Sequence, residues 1–475
     1  MKLGTTAIPI GSLKAHVSRL IRDFSERRGV RSLSNKYQRP YHVALNTLNS
    51  ITSCPGWLLL AMLSLSIHSV SSQISIDRQL LAEIQKIKAI DDHAHVLPAR
   101  SPDQSEGDRP DPLGKTPFEY PVRLRINNPE YVDTWHALYG YTHHDMTADH
   151  AREALKAKLR LMIEKRTEYP SWVLDQAGIE AILVNMPLLG PGQNAPRFFW
   201  VPRADGFLFP FAGEEERINW FRKEVGLDTQ PSSMGEYLDT LRRQLDRWKN
   251  AGTVAIKFAI AYVRPLDFDR VPDEEANRIF EHVRQDKKLS THDSKTLQDF
   301  LFHFMAREAG RRGLAVQIHT GIGAQPYFNI AGSNPMLLET TFNDTALRQT
   351  KFVMLHGGWP FDREAGAMLI KPNVYADFSA QVFLRSTEAL SQTLRAWLEW
   401  YPEKILFGTD AYPDDTPLAN WEEKLWLAAR TSRQALALAL SQMMRAGQIT
   451  RPRAVELARM VLHDNAAQLY GLETH

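Results

Sequence analysis

The sequence predicts an α/β protein built as a (β/α)₈ barrel, with a helical insertion after the first strand and extra helices at the C-terminus. Two observations predict it. From residue 80 onward, short apolar runs alternate with longer helical patterns, as a series of βαβ units around a parallel sheet requires. The residues that end several of these runs are histidines and an aspartate, and a barrel gathers such side chains at the C-terminal ends of its strands.

The runs can be taken in order. Ile87–Ile90 (IKAI) opens the series, Ile179–Val184 (IEAILV) is the second and Arg197–Val201 (RFFWV) the third. Val254–Ile256, Leu314–Ile318 (LAVQI), Phe352–Leu355 (FVML), Asn373–Ala376 (NVYA) and Ile405–Phe407 (ILF) complete eight, each closed by a polar residue or glycine. Helical periodicity fills gaps between them over Met234–Asn250, Ser294–Arg312 and Thr387–Tyr401. Residues 99–178 exceed what a minimal barrel needs. They open Pro/Asp/Arg-rich, carry Trp135-His136 and His143-His144, and continue into a basic helix over Ala151–Lys165, so they are expected as an insertion over the active face. After Pro417 the chain reads as helices.

With 43% hydrophobic and 24% charged residues, the composition is that of a soluble globular chain, and one barrel with insertions accounts for 475 residues. Lys+Arg 57 against Asp+Glu 55 leaves no global field that would select nucleic acid. Cys54 is the only cysteine, so neither an intramolecular disulfide nor a thiolate metal site can form, and metal chemistry must use histidine and carboxylates. Residues 1–72 form a leader ahead of the barrel at 73–475. It is basic, and within 57–72 it carries the apolar run Trp57–Ile67 and then Ser69, Ser71 and Ser72. The run fits the roughly 7–15 residues of a signal-peptide core and falls short of the roughly 20 that span a bilayer. The long basic stretch before it leaves three readings open: export from a downstream start, an uncleaved membrane anchor, or a helix packed on the barrel of a cytoplasmic protein. The sequence does not set the oligomeric state, and a homo-oligomer is compatible with it.

The chemistry concentrates at the strand ends. The first strand runs into Asp91-Asp92-His93-Ala94-His95, where the i, i+2 spacing puts both imidazoles on one side of an extended chain, able to share one metal. The fifth ends in His319, the sixth in His356, the eighth in Asp410 and the fourth in Lys257. A lone histidine or aspartate at a strand end is usually a structural residue or a cap. Four histidines and an aspartate converging on one rim make coincidence the poorer explanation.

That order, with the motifs IDDHAH, QIHTG, LHGGWP, LFGTD and DNAAQLYGL, resembles the amidohydrolase superfamily, in its amidohydrolase-related (amidohydrolase 2) branch, over about residues 87–472. The block VAIKFAIAYVRPL also resembles, more loosely, a lysine-containing strand-four segment in fungal and plant proteins that fuse such a domain to glutamine synthetase. The resemblance implies a divalent metal, zinc, held by His93, His95, His319 and Asp410, with His356 acting beside it. Such a cation lowers the pKa of a bound water to about 7. Asp410 would then accept the water proton, and His356 would polarise the scissile carbonyl. Asp91 is expected to orient a ligating imidazole, and Asp92 to lie in a solvated turn. Lys257 decides between two versions: carboxylated, it would bridge two metals; unmodified, it is an ammonium beside one, and one metal is favoured.

Around these, Arg264 and Tyr262 are candidates for binding a substrate carboxylate, against a surface salt bridge as the plainer role for Arg264. Trp359 and Tyr412 are candidates for the pocket wall. His143-His144 is expected to be solvated, and His463 to belong to a helix-capping cluster. The expected activity is metal-dependent hydrolysis of a C–N or C–O bond in a small-molecule amide, lactone or ester. The alternative is decarboxylation or isomerisation of a carboxylic acid on the same barrel. A barrel degenerated into a scaffold would have lost a ligand position, and none is lost.

Overall fold

The computed structural model describes residues 75–97, 121–211, 216–227, 230–285, 289–324 and 327–473. The chain divides into two compact units, Met1–Ser75 and Ile76–His475, and the account below concerns the second. The leader with its apolar run at 57–72, and the opening of the insertion, lie outside the described residues. No helix among the described residues is long and apolar enough to cross a membrane.

Eight strands form: β1 (Ala89–Ala94), β2 (Ile179–Val184), β3 (Phe198–Trp200), β4 (Ala255–Phe258), β5 (Ala315–His319), β6 (Phe352–Leu355), β7 (Val374–Asp377) and β8 (Ile405–Leu406). They make two sheets, β1-β2-β3 and β4 to β8 in sequence order, and every pairing is parallel. Backbone hydrogen bonds also run between the outer strands of the two sheets. The Lys257 amide donates to Pro202 at 2.9 Å and its carbonyl accepts from Ala204 at 2.7 Å; at the other edge the Asp92 amide donates to Phe407 at 2.8 Å and the Asp410 amide to His93 at 2.7 Å.

The two-sided burial of these strands follows from their alternation. Ile90, Ala181, Leu183, Val201, Ala255, Ala315, Val353, Leu355 and Leu406 pack together in one cluster, joined by Ala466 and Tyr470 from the C-terminal helix Asn465–Tyr470. Their neighbours in sequence, such as Ile182, Ile256, Val316 and Met354, pack into the larger core with the helices. The insertion supplies α1 (Glu130–Tyr139), α2 (Ala148–Lys165) and α3 (Tyr169–Ala177), and after β8 the long helix α4 (Trp421–Arg445) begins.

All eight expected strands are found, β2 and β6 with the expected bounds and the other six with shifted ends. β1 begins at Ala89 rather than Ile87 and runs on to Ala94, so Asp91, Asp92 and His93 belong to the strand. The expected solvated turn at Asp92 is corrected: its side chain is fully buried and accepts a hydrogen bond from the Tyr470 hydroxyl. β3 and β8 are shorter than the apolar runs that announced them. Of the helices, Met234–Asn250 is as expected. The next is Thr291–Arg311 rather than Ser294–Arg312, because the Ser290 hydroxyl caps it by accepting from the Asp293 amide at 3.0 Å. The third ends at Leu398, before Tyr401.

Candidate metal centre

His93 and His95 stand at the end of β1, where the pairing with β2 shifts register between Asp91 and Ala94. Their i, i+2 spacing keeps both side chains on one face of the extended chain, and the irregularity adjusts their aim locally. Asp410 follows β8 in a left-handed conformation, φ 54°, with its amide bonded to the His93 carbonyl. The Asp410 Oδ1 lies 3.4 Å from His93 Nε2 and 3.5 Å from His95 Nε2. Among the described residues these are the three histidine or acidic groups that gather so, with one donor atom from each within 4.8 Å of the others. Two ligands about 2.0–2.1 Å from a tetrahedral cation stand about 3.4 Å apart, so the donor set fits a zinc-like ion.

The imidazoles are in the form a metal needs. Burial, and then the Lys257 ammonium, hold His93 and His95 well below the usual histidine range; burial does the same for His356 and brings His319 to about 3. All four are neutral at physiological pH and have no proton to lose to a cation. Lys257 Nζ lies 2.9 Å from His93 Nε2, and burial brings its pKa down to about 8.

His319 and His356 form a second pair beside the first. His319 Nδ1 lies 3.1 Å from His356 Nε2, while His319 Nε2 lies 3.1 Å from the Ile322 carbonyl. A carbonyl only accepts, so Nε2 of His319 carries the hydrogen and its Nδ1 is the acceptor facing His356. His356 also has φ 64° and is fixed on both sides: its amide donates to Asp377 Oδ1 at 2.5 Å, and its carbonyl accepts from Gln381 Nε2 at 3.0 Å. His356 Nδ1 lies 2.9 Å from Ser379 Oγ and 3.9 Å from Asp410 Oδ2, which links the two pairs.

The remaining candidates separate clearly. Tyr262 lies at the site, its ring centroid 4.6 Å from that of His319. Trp359 follows the His356 turn and is half-buried, its carbonyl accepting from the Ile322 amide at 2.7 Å. Arg264 as a substrate-carboxylate anchor is corrected. Its Nη1 donates to Asp299 at 2.6 Å, its Nη2 to the Asp267 carbonyl at 2.9 Å and its Nε to the Pro265 carbonyl at 3.0 Å, with Phe268 beneath it. The guanidinium fork is consumed within the fold, although the pair is buried rather than on the surface. Asp91 does not touch an imidazole. Its carboxylate accepts from the His93 amide at 3.2 Å, the Thr409 amide at 2.9 Å and the Thr409 hydroxyl at 2.6 Å, tying the ends of β1 and β8 together. Tyr412 lies under the Lys424 ammonium, 3.6 Å from ring centroid to Nζ. His143 pairs with Glu153 at 2.9 Å and stacks on His150; His463 pairs with Asp464 at 2.7 Å, but the Asp464 side chain makes no capping hydrogen bond to the helix that follows.

Sequence reasoning missed Asp377, Ser379, Gln317 and Tyr470. Asp377 ends β7 and holds the His356 amide, so the strand-end rule that found the histidines would have found it had the seventh run been extended by one residue. Gln317 donates to the Asp92 carbonyl and the Tyr470 hydroxyl, each at 3.0 Å, and no local pattern announces that network.

Parallel α/β sheets thus carry, at their strand ends, two neutral imidazoles and a carboxylate, the donor set of a candidate divalent-metal site. The chain belongs to the amidohydrolase family, whose model, described as Amidohydrolase, matches residues 233–472, half of the sequence. Protein fluG of Emericella nidulans is 28% identical over 239 residues, which are 48% of this chain and 26% of that protein. The chain thus spans about a quarter of that curated relative's length. Among solved structures, a Lactobacillus casei protein assigned as a metal-dependent hydrolase superposes with a TM-score of 0.61 at 18% identity, over 84% of this chain and 98% of its own. Uronate isomerase from Thermotoga maritima (82% of this chain, 96% of that one) and glucuronate isomerase from Caulobacter crescentus (86% and 96%) each give 0.57 at 14% identity. At these identities the likeness is one of fold.

Proposed function

We propose that this chain is a metal-dependent hydrolase that cleaves a C–N or C–O bond of a small amide, lactone or ester, and that its two sheets close into one (β/α)₈ barrel around the site. The observation that carries the reading is the 3.4 and 3.5 Å spacing of Asp410 from His93 and His95, the separation expected of ligands on one tetrahedral cation. The hydrogen bonds joining β3 to β4 and β8 to β1 support the closure.

A divalent cation, zinc by the donor chemistry, supplies Lewis acidity there and lowers the pKa of a water molecule to about 7. His93, His95 and Asp410 would hold it in this reading; His319, paired with His356 and with the Ile322 carbonyl, would join them as a fourth ligand only by releasing His356. Asp410 has a second oxygen, Oδ2, turned toward His356, and there it takes the proton of the attacking water and returns it to the leaving group. His356 is neutral and its Nε2–H donates to His319 Nδ1, so it would stabilise negative charge on the carbonyl oxygen only by exchanging that acceptor for the substrate, an effect worth about 10²–10³ in rate for a well-placed donor. Tyr262 and Trp359 wall the pocket. One metal is the favoured count, because Lys257 is engaged with His93 Nε2 and the His319–His356 pair is satisfied internally. Carboxylation of Lys257 would instead give a bridging ligand for two.

A decarboxylase or isomerase remains the alternative on the same barrel; Arg264, which would have suited it as a carboxylate anchor, is bonded to Asp299 and Asp267 and lends it no support. The test is metal analysis of the purified protein, followed by a screen of lactones, amides, esters, aromatic acids and uronates in ¹⁸O-labelled water. Acid release with incorporation of label is the expected result. Release of CO₂, or isomerisation of a uronate, without incorporation would overturn the hydrolase reading.

A further inference from the structure

One face of α2 carries Ala151, Ala154, Leu155 and Lys158, all buried, at the i, i+3, i+4, i+7 spacing of an apolar stripe. Lys158 is out of place there unless something deep in the fold requires a cation. Its side chain is 5% exposed, and its Nζ donates to Glu423 Oε1 at 2.9 Å, to Glu422 Oε2 at 3.0 Å and to the Pro417 carbonyl at 2.8 Å. Burial alone would push its pKa down, but the Glu422 and Glu423 carboxylates raise it, so the ammonium persists. The Tyr139 hydroxyl of α1 donates to Glu423, and the Tyr169 hydroxyl of α3 to Glu422 at 3.2 Å. All three insertion helices therefore converge on the first turn of α4.

That turn holds the segment that carries Asp410. Glu423 caps α4 by accepting from the Asn420 amide at 2.9 Å, and Asn420 exchanges two hydrogen bonds with Asp414, each at 3.0 Å. Lys424 donates to the Tyr412 carbonyl at 3.3 Å and to Asp414 at 3.2 Å, and Trp135 Nε1 of α1 donates to the Leu418 carbonyl at 2.9 Å. From Ala411 to Asn420 the segment is fastened along its whole length, and its first residue is bonded to the metal-site strand through the His95 amide at 2.7 Å.

We propose that the insertion is a clamp on the metal centre and that Lys158 is a positioning residue for Asp410. It acts through Pro417, Glu422 and Glu423, and touches neither cation nor substrate. The proposal rests on the metal reading above. Ligands must be held to within a fraction of an ångström, so slack in the Ala411–Asn420 segment reaches the cation as lost affinity. A lysine with a purely local structural role would lower stability and leave the affinity of folded molecules unchanged.

The test is zinc affinity of the full chain, read by competition with a chromophoric chelator on protein shown by near-ultraviolet circular dichroism to be folded. Lys158→Met combined with Glu422→Gln removes the ammonium and one of the two carboxylates it would strand. This variant is expected to bind zinc about tenfold more weakly, within the range that partners of metal ligands command. Affinity within about twofold of wild type overturns the clamp. Should the double variant fail to fold, Trp135→Phe decides, since it deletes the bond to Leu418 while keeping an aromatic ring at this buried position: on folded protein a loss of more than about twofold supports the clamp, and a smaller one overturns it. Zinc bound by wild type and lost in Asp410→Asn establishes the site itself. No zinc on wild type overturns the metal reading and the clamp together.

Discussion

Replacing Gly357 by alanine tests why the chain places two glycines after His356. Gly357 has φ +52°, and an added Cβ would lie 2.3 Å from Trp397 Cη2, 2.8 Å from the Asp377 carbonyl oxygen and 2.9 Å from Gln381 Nε2. The left-handed backbone costs alanine about 1–2 kcal/mol, and forcing a methyl against a packed indole and a backbone oxygen adds about 1–3 kcal/mol. The expected loss is therefore about 2–5 kcal/mol. Gly313 isolates the first part, because it has φ +67° and open space around its missing Cβ. Gly313→Ala should lose only the backbone share, about 1–2 kcal/mol. The crowded atoms belong to the groups that hold His356, since Gln381 donates to its carbonyl and Asp377 accepts from its amide. Calorimetric unfolding of the two variants side by side, with turnover on any substrate the screen finds, is the assay. Gly357→Ala should be the less stable by at least about 1 kcal/mol and should lose activity, while Gly313→Ala keeps it. Equal losses, or full activity in Gly357→Ala, would refute the argument that these residues position His356.

Zinc affinity should rise as pH rises through about 8, because Lys257 below that value is an ammonium donating to His93 Nε2, the nitrogen a cation needs. Chelator competition across that range reads it, Lys257→Met should flatten the profile, and a flat wild-type profile would refute it. Asp205, buried and accepting from the Ala259 amide at 2.9 Å, is raised by burial from 3.8 to about 6. The folded state then holds the proton more tightly than the unfolded chain, so the stability this group lends is full below about 3.8 and is lost as pH rises through about 6. Its share is about 3 kcal/mol, and a melting-temperature profile that Asp205→Asn leaves unaltered between those values would exclude it. Arg264→Met should cost about 1.5–3 kcal/mol, the worth of a hydrogen bond to a charged group, because the buried Asp299 loses one cationic partner and keeps Lys295 at 2.7 Å, with no change in preference between carboxylate and neutral substrates; a selective loss of carboxylate substrates would restore the anchor.

Most of the strands were legible because a strand covered on both faces is apolar on both faces, and Ile179–Val184 and Phe352–Leu355 have the bounds their apolar runs mark. β1 was misplaced for the opposite reason. Its centre holds Asp91 and Asp92, and these belong in a strand only because Thr409 and Tyr470, more than three hundred residues away, satisfy them. His93, His95 and Asp410 were legible from strand-end position and i, i+2 spacing. The pairing of His319 with His356 was not, since which ring nitrogen faces which depends on the Ile322 carbonyl. Arg264 was misjudged because Asp299, its partner, lies on a separate helix, and Lys158 went unremarked because a lysine in a basic helix looks solvated until its carboxylates are found on α4.

The two residues assigned the chemistry, His356 and Asp410, share a backbone feature that neither helix nor strand explains: both are non-glycine residues in the left-handed region, at φ 64° and 54°. Each costs about 1–2 kcal/mol and persists only where neighbours fix it. The neighbours are identifiable. Asp377 and Gln381 hold the amide and carbonyl of His356, while the His93 carbonyl holds the amide of Asp410 and Asp91 holds Thr409 just before it. A left-handed residue turns the chain sharply as it leaves the sheet, and this lets a side chain at a strand end swing over the site instead of continuing outward into a loop. Strain and ligand geometry are thus one device. In the proposed reading His93, His95 and Asp410 are already spaced for a cation once Lys257 gives up His93 Nε2, and the cost of that preparation is distributed among the hydrogen bonds beneath.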